Sequence, residues 1–479
     1  MDIKKMFGPG AKVYFIGIKG TGMCALAELL VNSGVRVSGS DRDEVFYTDG
    51  ILKELGVPYY ESFAPEHIPD GTDLVVYSAA YSFDTNSEMA EARNRGIPLL
   101  KYTDALGAYS AGFDSSGVAG VHGKTTTTAL AGAMIRGVGL PARVLAGSVV
   151  SAFGGHSTLN GGSKYFVAET CEYRKHFLSF HPRRIILTSV EGDHQDFYPT
   201  YESIRDAFVE YVRLLPPGGE LIYCADDPGA REVAEIIAGE GRGVVPVPYG
   251  FTAPGDFGID SFQVSAERLR MKVRCFPGEL RLRLPGRHSA LDATAALALV
   301  DSLVKNEGGW TGEKREKLRA ALEDVRGSRR RSEIVGEYEG ILFMDDYGHH
   351  PTALRTTLEG LKEFYPGRRL VVSFMSHTYT RTASLLEEFA ASLEKADLVF
   401  LHKIYASARE SYRGGVTGRT LFEKTRALRE GVYYADEPED AMETLKDLLK
   451  AGDLFITLGA GDNWKLGKAL ADYFAGKKP

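Results

Sequence analysis

The sequence predicts an α/β chain of three domains, each built on a largely parallel sheet. Two observations carry this. Apolar runs of about four to eight residues alternate with longer stretches of helical periodicity, the mark of strand–helix–strand units. Two of those runs feed directly into glycine-rich turns, where a helix N-terminus can receive an anion. A length of 479 residues suits three domains, at about 150 residues each.

The elements follow in order. The first run, VYFI at residues 13–16, leads into Gly17-Ile18-Lys19-Gly20-Thr21-Gly22 and a helical pattern over 23–32. Gly34 stands where a helix cap is expected. Runs at 35–37 and 74–78 complete a small nucleotide-binding-like domain, expected over residues 1–110. The glycine- and serine-containing stretch 111–117 reads as a linker. GVAGVHGKTTTT then opens a second domain, expected over 111–327, with an antiparallel excursion at residues 250–284. The run Arg326-Gly-Ser-Arg-Arg-Arg331 marks the next boundary. A third domain, over 328–479, has buried-strand candidates at 341–344, 370–374, 398–401 and 454–458. No repeat at solenoid spacing and no low-complexity tract is present.

Composition bounds the function. Hydrophobic residues make up 44% and charged residues 25%, ordinary for a globular chain and incompatible with extended disorder. A net charge of −7, from 57 Lys and Arg against 64 Asp and Glu, excludes a general nucleic-acid or membrane-surface binder. Any anion site must be local. Cys24, Cys171, Cys224 and Cys275 stand far apart, without zinc or redox spacing, and fit a reducing compartment. No apolar stretch follows Lys4 and Lys5, and no run is long enough to span a bilayer, so a cytoplasmic protein is expected.

Four motifs carry chemistry. The strongest is Gly120-Val121-His122-Gly123-Lys124-Thr125, after the apolar pair Val118-Ala119. A glycine loop entering a helix aims backbone N–H groups at one spot; the lysine supplies a cation for β- and γ-phosphates, and the threonine hydroxyl can reach magnesium. Val118 stands where the full phosphate-loop pattern has its first glycine, so the match is partial. The second motif, Gly17 to Gly22 with Asp41 at the end of the next strand, suits a dinucleotide or another diphosphate, and does not separate them. Third, acids gather at two strand ends: Glu169 and Glu172 after YFVA, and Glu191, Asp193, His194 and Asp196 after IILT. Carboxylates there can hold magnesium. Fourth, Asp345-Asp346-Tyr347-Gly348-His349-His350 follows one strand, and His377 and Arg381 follow another. The spacing is not that of a zinc helix. Arginine there suits a carboxylate or phosphate.

Taken in order, these motifs resemble the Mur ligases, the ATP-dependent ligases of peptidoglycan synthesis, over nearly the whole chain. FIGIKGTGM is similar to the family's FIGIGG-type loop and GVHGKTTTT to its GTHGKTTTT loop. DHQDFY, GRHSALDA, DDYGHHPT, HTYTRT and LGAGD follow in the family's order. DDYGHHPT together with HTYTRT resembles the branch that joins L-alanine to UDP-N-acetylmuramate. The resemblance implies an N-terminal Rossmann-like domain for the UDP-sugar, a central P-loop ATPase-like domain, and a C-terminal Rossmann-like domain for the amino acid and ATP.

It also implies a reaction. A lactyl carboxylate attacks the γ-phosphate of ATP to give an acyl phosphate, and the amine of alanine then displaces phosphate. Lys124, Glu169 and His194 are implied as catalytic, and Thr125, Glu169 and His194 as ligands of Mg2+, with Mn2+ able to substitute. Gly120, His122, Gly123, Lys124, Thr125, Thr126, His288, Arg331 and Asp346 are implied at ATP. Gly20, Thr21, Gly22, Asp41 and Ser78 are implied at the UDP-sugar, and Tyr347, His349, His377 and Arg381 around the amino acid. With groups drawn from three domains, closure is expected. The implied partners are small molecules, with no nucleic acid or membrane, and a monomer or homodimer.

The chain departs from the family's pattern in places. EADESD becomes Glu169-Thr170-Cys171-Glu172-Tyr173-Arg174, two asparagines of the adenine-side motif become Ser289 and Asp292, Ser189 replaces an asparagine, and Lys19 replaces a glycine. These leave a murein peptide ligase, which takes a tripeptide, and a non-catalytic UDP-sugar and ATP binder as alternatives. An NAD-dependent oxidoreductase would leave the GKT loop unexplained.

Overall fold

The computed structural model describes residues 6–265, 267–406, 410, 412 and 414–477. Three sheets with flanking helices make three α/β domains. The first sheet holds β1 (Lys12–Ile16), β2 (Arg36–Ser40), β3 (Tyr59–Tyr60), β4 (Leu74–Tyr77) and β5 (Leu99–Lys101), all parallel, in the order β3-β2-β1-β4-β5. That order reverses direction between β1 and β4, and open sheets of this kind bind ligands at such a reversal, beyond the carboxyl ends of the strands. Tyr14, Ile16, Val75 and Met89 fill its core. Each such side chain contributes about 1.5–3 kcal/mol on leaving water.

The central domain has β6 (Asp114–Ala119), β7 (Ala142–Val150), β8 (His156–Asn160), β9 (Tyr165–Glu169), β10 (Arg184–Leu187), β11 (Glu220–Cys224) and β12 (Val245–Gly250). They run in the order β12-β11-β10-β6-β9-β7-β8, parallel except for the β7–β8 pair. The residues read as a linker are corrected here: β6 begins at Asp114, and Ser115 and Ser116 are buried within it. The small residues are required. A Cβ on Gly117 would lie 2.1 Å from the Tyr211 hydroxyl. The antiparallel excursion is present as β13 (Phe257–Ser265), β14 (Arg268–Val273) and β15 (Leu280–Leu282).

The last sheet holds β16 (Glu333–Tyr338), β17 (Ile341–Asp346), β18 (Arg369–Phe374), β19 (Leu398–Leu401), β20 (Val432–Tyr434) and β21 (Asp453–Leu458). Its order is β16-β17-β21-β18-β19-β20, parallel except for the β16–β17 hairpin. Phe343, Val371, Phe400 and Phe455 form its core. The chain passes between two compact units at Val190/Glu191, Ile204/Arg205, Tyr249/Gly250, Thr294/Ala295 and Leu318/Arg319. The first unit carries β1–β11 and most of β12. The second carries β13–β21 and the short segment Glu191–Ile204. Among the described residues no helix is long and apolar enough to cross a membrane.

Candidate functional site

The GKT loop joins β6 to the helix Lys124–Val138, so Lys124 is the first helical residue and Thr125 and Thr126 follow in the first turn. Gly120 has φ 137°, and a Cβ there would strike the Thr188 hydroxyl at 2.0 Å. Two hydrogen bonds hold the loop to the end of β10: Val121 N donates to the Ser189 carbonyl at 3.0 Å and His122 N to the Ser189 hydroxyl at 2.9 Å. Thr188 donates to the His122 carbonyl at 2.5 Å. Ser189, read from sequence only as a departure, therefore anchors the loop through both its backbone and its side chain.

Two carboxylates face this helix start. Thr125 donates its hydroxyl to Glu169 Oε2 at 2.8 Å, and Gly147 N donates to the same oxygen at 2.9 Å. A Cβ on Gly147 would lie 2.4 Å from that oxygen. Lys124 Nζ donates to Glu172 Oε2 at 2.9 Å, to the Val121 carbonyl at 3.3 Å and to the Gly120 carbonyl. Burial works against the charge on Lys124, but Glu172, Cys171 and Glu169 outweigh it and raise its pKa above the ordinary lysine value. Gly147 was missed in the sequence; its only signal is the small pair Gly147-Ser148 late in β7.

The sugar-nucleotide candidates gather beyond the carboxyl ends of β1, β2 and β4. Asp41 Oδ2 accepts from Lys19 N at 2.7 Å, and Oδ1 accepts from the Arg42 amide at 2.9 Å and the Tyr81 hydroxyl at 3.0 Å. Thr21 Oγ1 accepts from the Tyr47 hydroxyl at 2.9 Å. A Cβ on Gly17 would meet Tyr81 and Ser78, and one on Gly22 would meet Tyr102. Gly20, Thr21, Gly22, Asp41 and Ser78 thus share one turn region.

In the second unit, Asp193 and Arg381 pair across 188 positions of sequence. Arg381 Nε and Nη2 donate to Asp193 Oδ1 at 2.9 and 2.6 Å, and both residues are buried. Nη1 lies 3.0 Å from His377 Nδ1. Burial alone would raise the Asp193 carboxyl; Arg381, with the His194, His349 and His350 imidazoles, holds it far below the usual range. Burial, with Arg381 close by, pushes His349 well below an ordinary histidine. The His349 and His377 rings lie 5.6 Å apart. His194 follows Asp193 with φ 54°. It belongs to the second unit, whereas Thr125 and Glu169 belong to the first. Arg381, which the resemblance implies at the amino acid's carboxylate, has one edge taken by Asp193.

Asp346 ends β17 and accepts from Ser332 N and Gly348 N, both at 2.7 Å. The Tyr347 ring lies 5.0 Å from the Arg331 guanidinium and 5.2 Å from that of Arg330. His288 sits half-buried in the first turn of the helix Arg287–Asn306, beside Gly286. The Ser289 hydroxyl donates to the Pro285 carbonyl at 2.6 Å, and Asp292 is buried.

This arrangement has counterparts in known proteins. Residues 12–114 match the Mur ligase family catalytic domain, residues 118–300 the Mur ligase middle domain, and residues 330–461 the Mur ligase glutamate ligase domain. The UDP-N-acetylmuramate–L-alanine ligase of Treponema pallidum (strain Nichols) is 54% identical over 466 residues, covering 97% of each chain. The ligase of the same name from Borreliella burgdorferi is 37% identical over 461 residues, covering 95% of this chain and 97% of its own. A crystal structure of the UDP-N-acetylmuramate–alanine ligase of Thermotoga maritima superposes with a TM-score of 0.77 at 25% identity, covering 98% of this chain and all of that one. Fold, motif order and near-full-length identity agree: the chain belongs to the Mur ligase family.

Proposed function

We propose that this chain is an ATP-dependent ligase that joins L-alanine to the lactyl carboxylate of UDP-N-acetylmuramate, releasing ADP and phosphate, in the cytoplasmic synthesis of peptidoglycan precursors. The observation that carries the reading is the head of the helix Lys124–Val138. There the GKT loop, the Thr125 hydroxyl and the Glu169 carboxylate converge, with Gly147 leaving room for that carboxylate. The relatives' shared name supplies the substrates.

The chemistry follows from the residues. A carboxylate is a poor acylating agent, and transfer of a phosphoryl group to it creates a good leaving group. The protein's task is to align the two reactants and to neutralise charge on the phosphates. Backbone N–H groups from Gly120 to Thr126 would receive the phosphates, and Lys124, charged at neutral pH, would exchange its Glu172 and carbonyl partners for phosphate oxygens. The Thr125 hydroxyl and Glu169 carboxylate are hard oxygen donors of the kind magnesium prefers, so these two residues would suit a Mg2+ ion, which would supply further neutralisation when bound. Gly20, Thr21, Gly22, Asp41 and Ser78 would hold the sugar nucleotide. His288, Arg331 and Asp346 would hold ATP. Tyr347, His349, His377 and Arg381 would surround the amino acid. Burial and the nearby Arg381 disfavour the protonated form of His349, so that ring would line the amino-acid site without adding a cation beside the attacking amine.

The test is ADP release from magnesium-ATP and UDP-N-acetylmuramate, with L-alanine, L-serine, glycine or a murein tripeptide added singly. Release is expected to require the sugar nucleotide and to be fastest with L-alanine. Release with the tripeptide alone would make the chain a murein peptide ligase. Binding of both nucleotides without release under any condition would make it a non-catalytic binder.

A further inference from the structure

Lys19 stands in the Gly17–Gly22 turn where the family's loop has glycine, yet its ammonium does not face the turn. The side chain is 0% exposed. Its Nζ donates to Glu61 Oε1 at 2.6 Å and to the carbonyls of Arg42 at 3.2 Å and Glu44 at 3.0 Å, and it lies 3.3 Å from Asp49 Oδ1. An ammonium has three N–H groups, and all three are used. The main chain of Lys19 is fixed as well: its N–H donates to Asp41, and its carbonyl accepts from the Thr48 hydroxyl at 2.5 Å. One residue thus ties the glycine turn to both ends of residues 41–49.

The tied segment is itself unusual. Arg42 to Tyr47 are all exposed, Val45 at 98%, with Phe46 and Tyr47 beside it. Solvent-facing apolar side chains on a short segment gain nothing in the free protein. Tyr47 also returns to the turn, its hydroxyl donating to Thr21 Oγ1. The segment therefore hangs beside the turn, held from beneath by Lys19 and from above by Tyr47.

We propose that Lys19 is a positioning residue that holds residues 42–47, three charged and three apolar, as a preformed flap beside the sugar-nucleotide turn, and that this flap contributes to affinity for the nucleoside diphosphate sugar. The proposal rests on the placement of that ligand at the Gly17–Gly22 turn. Preforming the flap reduces the ordering cost at binding. With a glycine at position 19 the carbonyls of Arg42 and Glu44 lose their donor, and the flap must order as the ligand arrives.

Calorimetric titration with UDP-N-acetylmuramate and steady-state kinetics on wild type, Lys19→Met, Lys19→Arg and Tyr47→Phe test this. Lys19→Met is expected to weaken sugar-nucleotide binding about tenfold and to raise its KM equally, with kcat and the KM values for ATP and L-alanine within about twofold of wild type. Lys19→Arg, which keeps the cation, should recover part of the affinity. Tyr47→Phe removes one hydroxyl and its hydrogen bond to Thr21, and should weaken binding about threefold. Unchanged affinity in both Lys19→Met and Tyr47→Phe, with a lowered Tm for the former alone, would make Lys19 a structural residue and overturn the proposal. A wild-type protein that fails to bind the sugar nucleotide would overturn the functional reading itself.

Discussion

Two regions of this chain use the same local device and put it to opposite ends. Both β1 and β6 run into a glycine turn that carries a lysine and opens a helix. In the first, Lys19 is fully buried, directed away from the turn and held by acids from elsewhere in its domain. In the second, Lys124 is the first residue of the helix, stays 13% exposed, and folds back onto its own loop and Glu172. The difference lies in where the acids are. Asp49 and Glu61 lie beneath the first turn, so its cation is used in construction. Glu169 and Glu172 stand at the head of the second helix, so its cation remains beside the space a phosphate would enter. A lysine in a glycine loop is therefore not by itself a phosphate ligand; the position of the nearest carboxylates decides.

The sharpest way to break this contrast is to remove each cation. Lys124→Ala should lower kcat by about a thousandfold, the scale of losing a principal charge-stabilising group, and should lower Tm as well, since it takes the Lys124 cation from the buried Glu172 carboxylate. Lys19→Met should leave kcat near wild type while costing about 2 kcal/mol of stability, since it deletes charge-assisted hydrogen bonds inside the fold. Chemical denaturation alongside ADP release separates the two. Next in size is Gly147→Ala. Its Cβ would overlap the Glu169 carboxylate, and an ångström-scale displacement of that group should lower kcat about a hundredfold. Normal activity in this variant would count against the proposed role of Glu169 as a metal ligand. Glu172→Gln tests the electrostatics. Burial opposes the charge of Lys124 and Glu172 is its largest support. Without that carboxylate the lysine pKa must fall, so the alkaline limb of the pH–rate profile should move to lower pH, while activity near pH 7 changes less than in Gly147→Ala. An alkaline limb that stays in place would mean that Lys124 does not govern it.

Much of this was legible in the sequence, for a local reason. Strands such as β9, β17 and β21 are short apolar runs, and the acids at their ends need no long-range information. The GKT loop was legible from spacing, and the family from the order of its motifs. The misreading at residues 111–117 has a physical cause: β6 begins Asp-Ser-Ser-Gly, with Tyr211 and Thr170 leaving no room for a side chain at Gly117, so its burial is not advertised by apolar side chains. The fate of Lys19 was hidden because its partner Glu61 lies 42 positions away. Arg381 was read from sequence as a grip for the amino acid's carboxylate, but its partner Asp193 is 188 positions distant, and tertiary pairing at that range leaves no periodic trace.

Ser189 offers the finest test of the comparison, because its hydroxyl and its carbonyl both accept from the second turn. Its hydroxyl accepts from His122 N and its carbonyl from Val121 N, so Ser189 holds the loop at two adjacent points, beside the Thr188 tie, and its side chain provides one of the two. Ser189→Ala removes that one acceptor and keeps the other. A hydrogen bond of this kind is worth about 1 kcal/mol net, so if the loop must be held in its present form to receive phosphates, the KM for ATP should rise about fivefold. The sugar-nucleotide KM should not move, since the first turn has its own anchor in Lys19. Ser189→Asn places there the residue common in the family, whose side-chain carbonyl can also accept from the His122 N–H, and it should restore the wild-type value. If Ser189→Ala raises both KM values alike, the two turns are not independently anchored, and the separation drawn between Lys19 and Lys124 fails at the level of the loops that carry them.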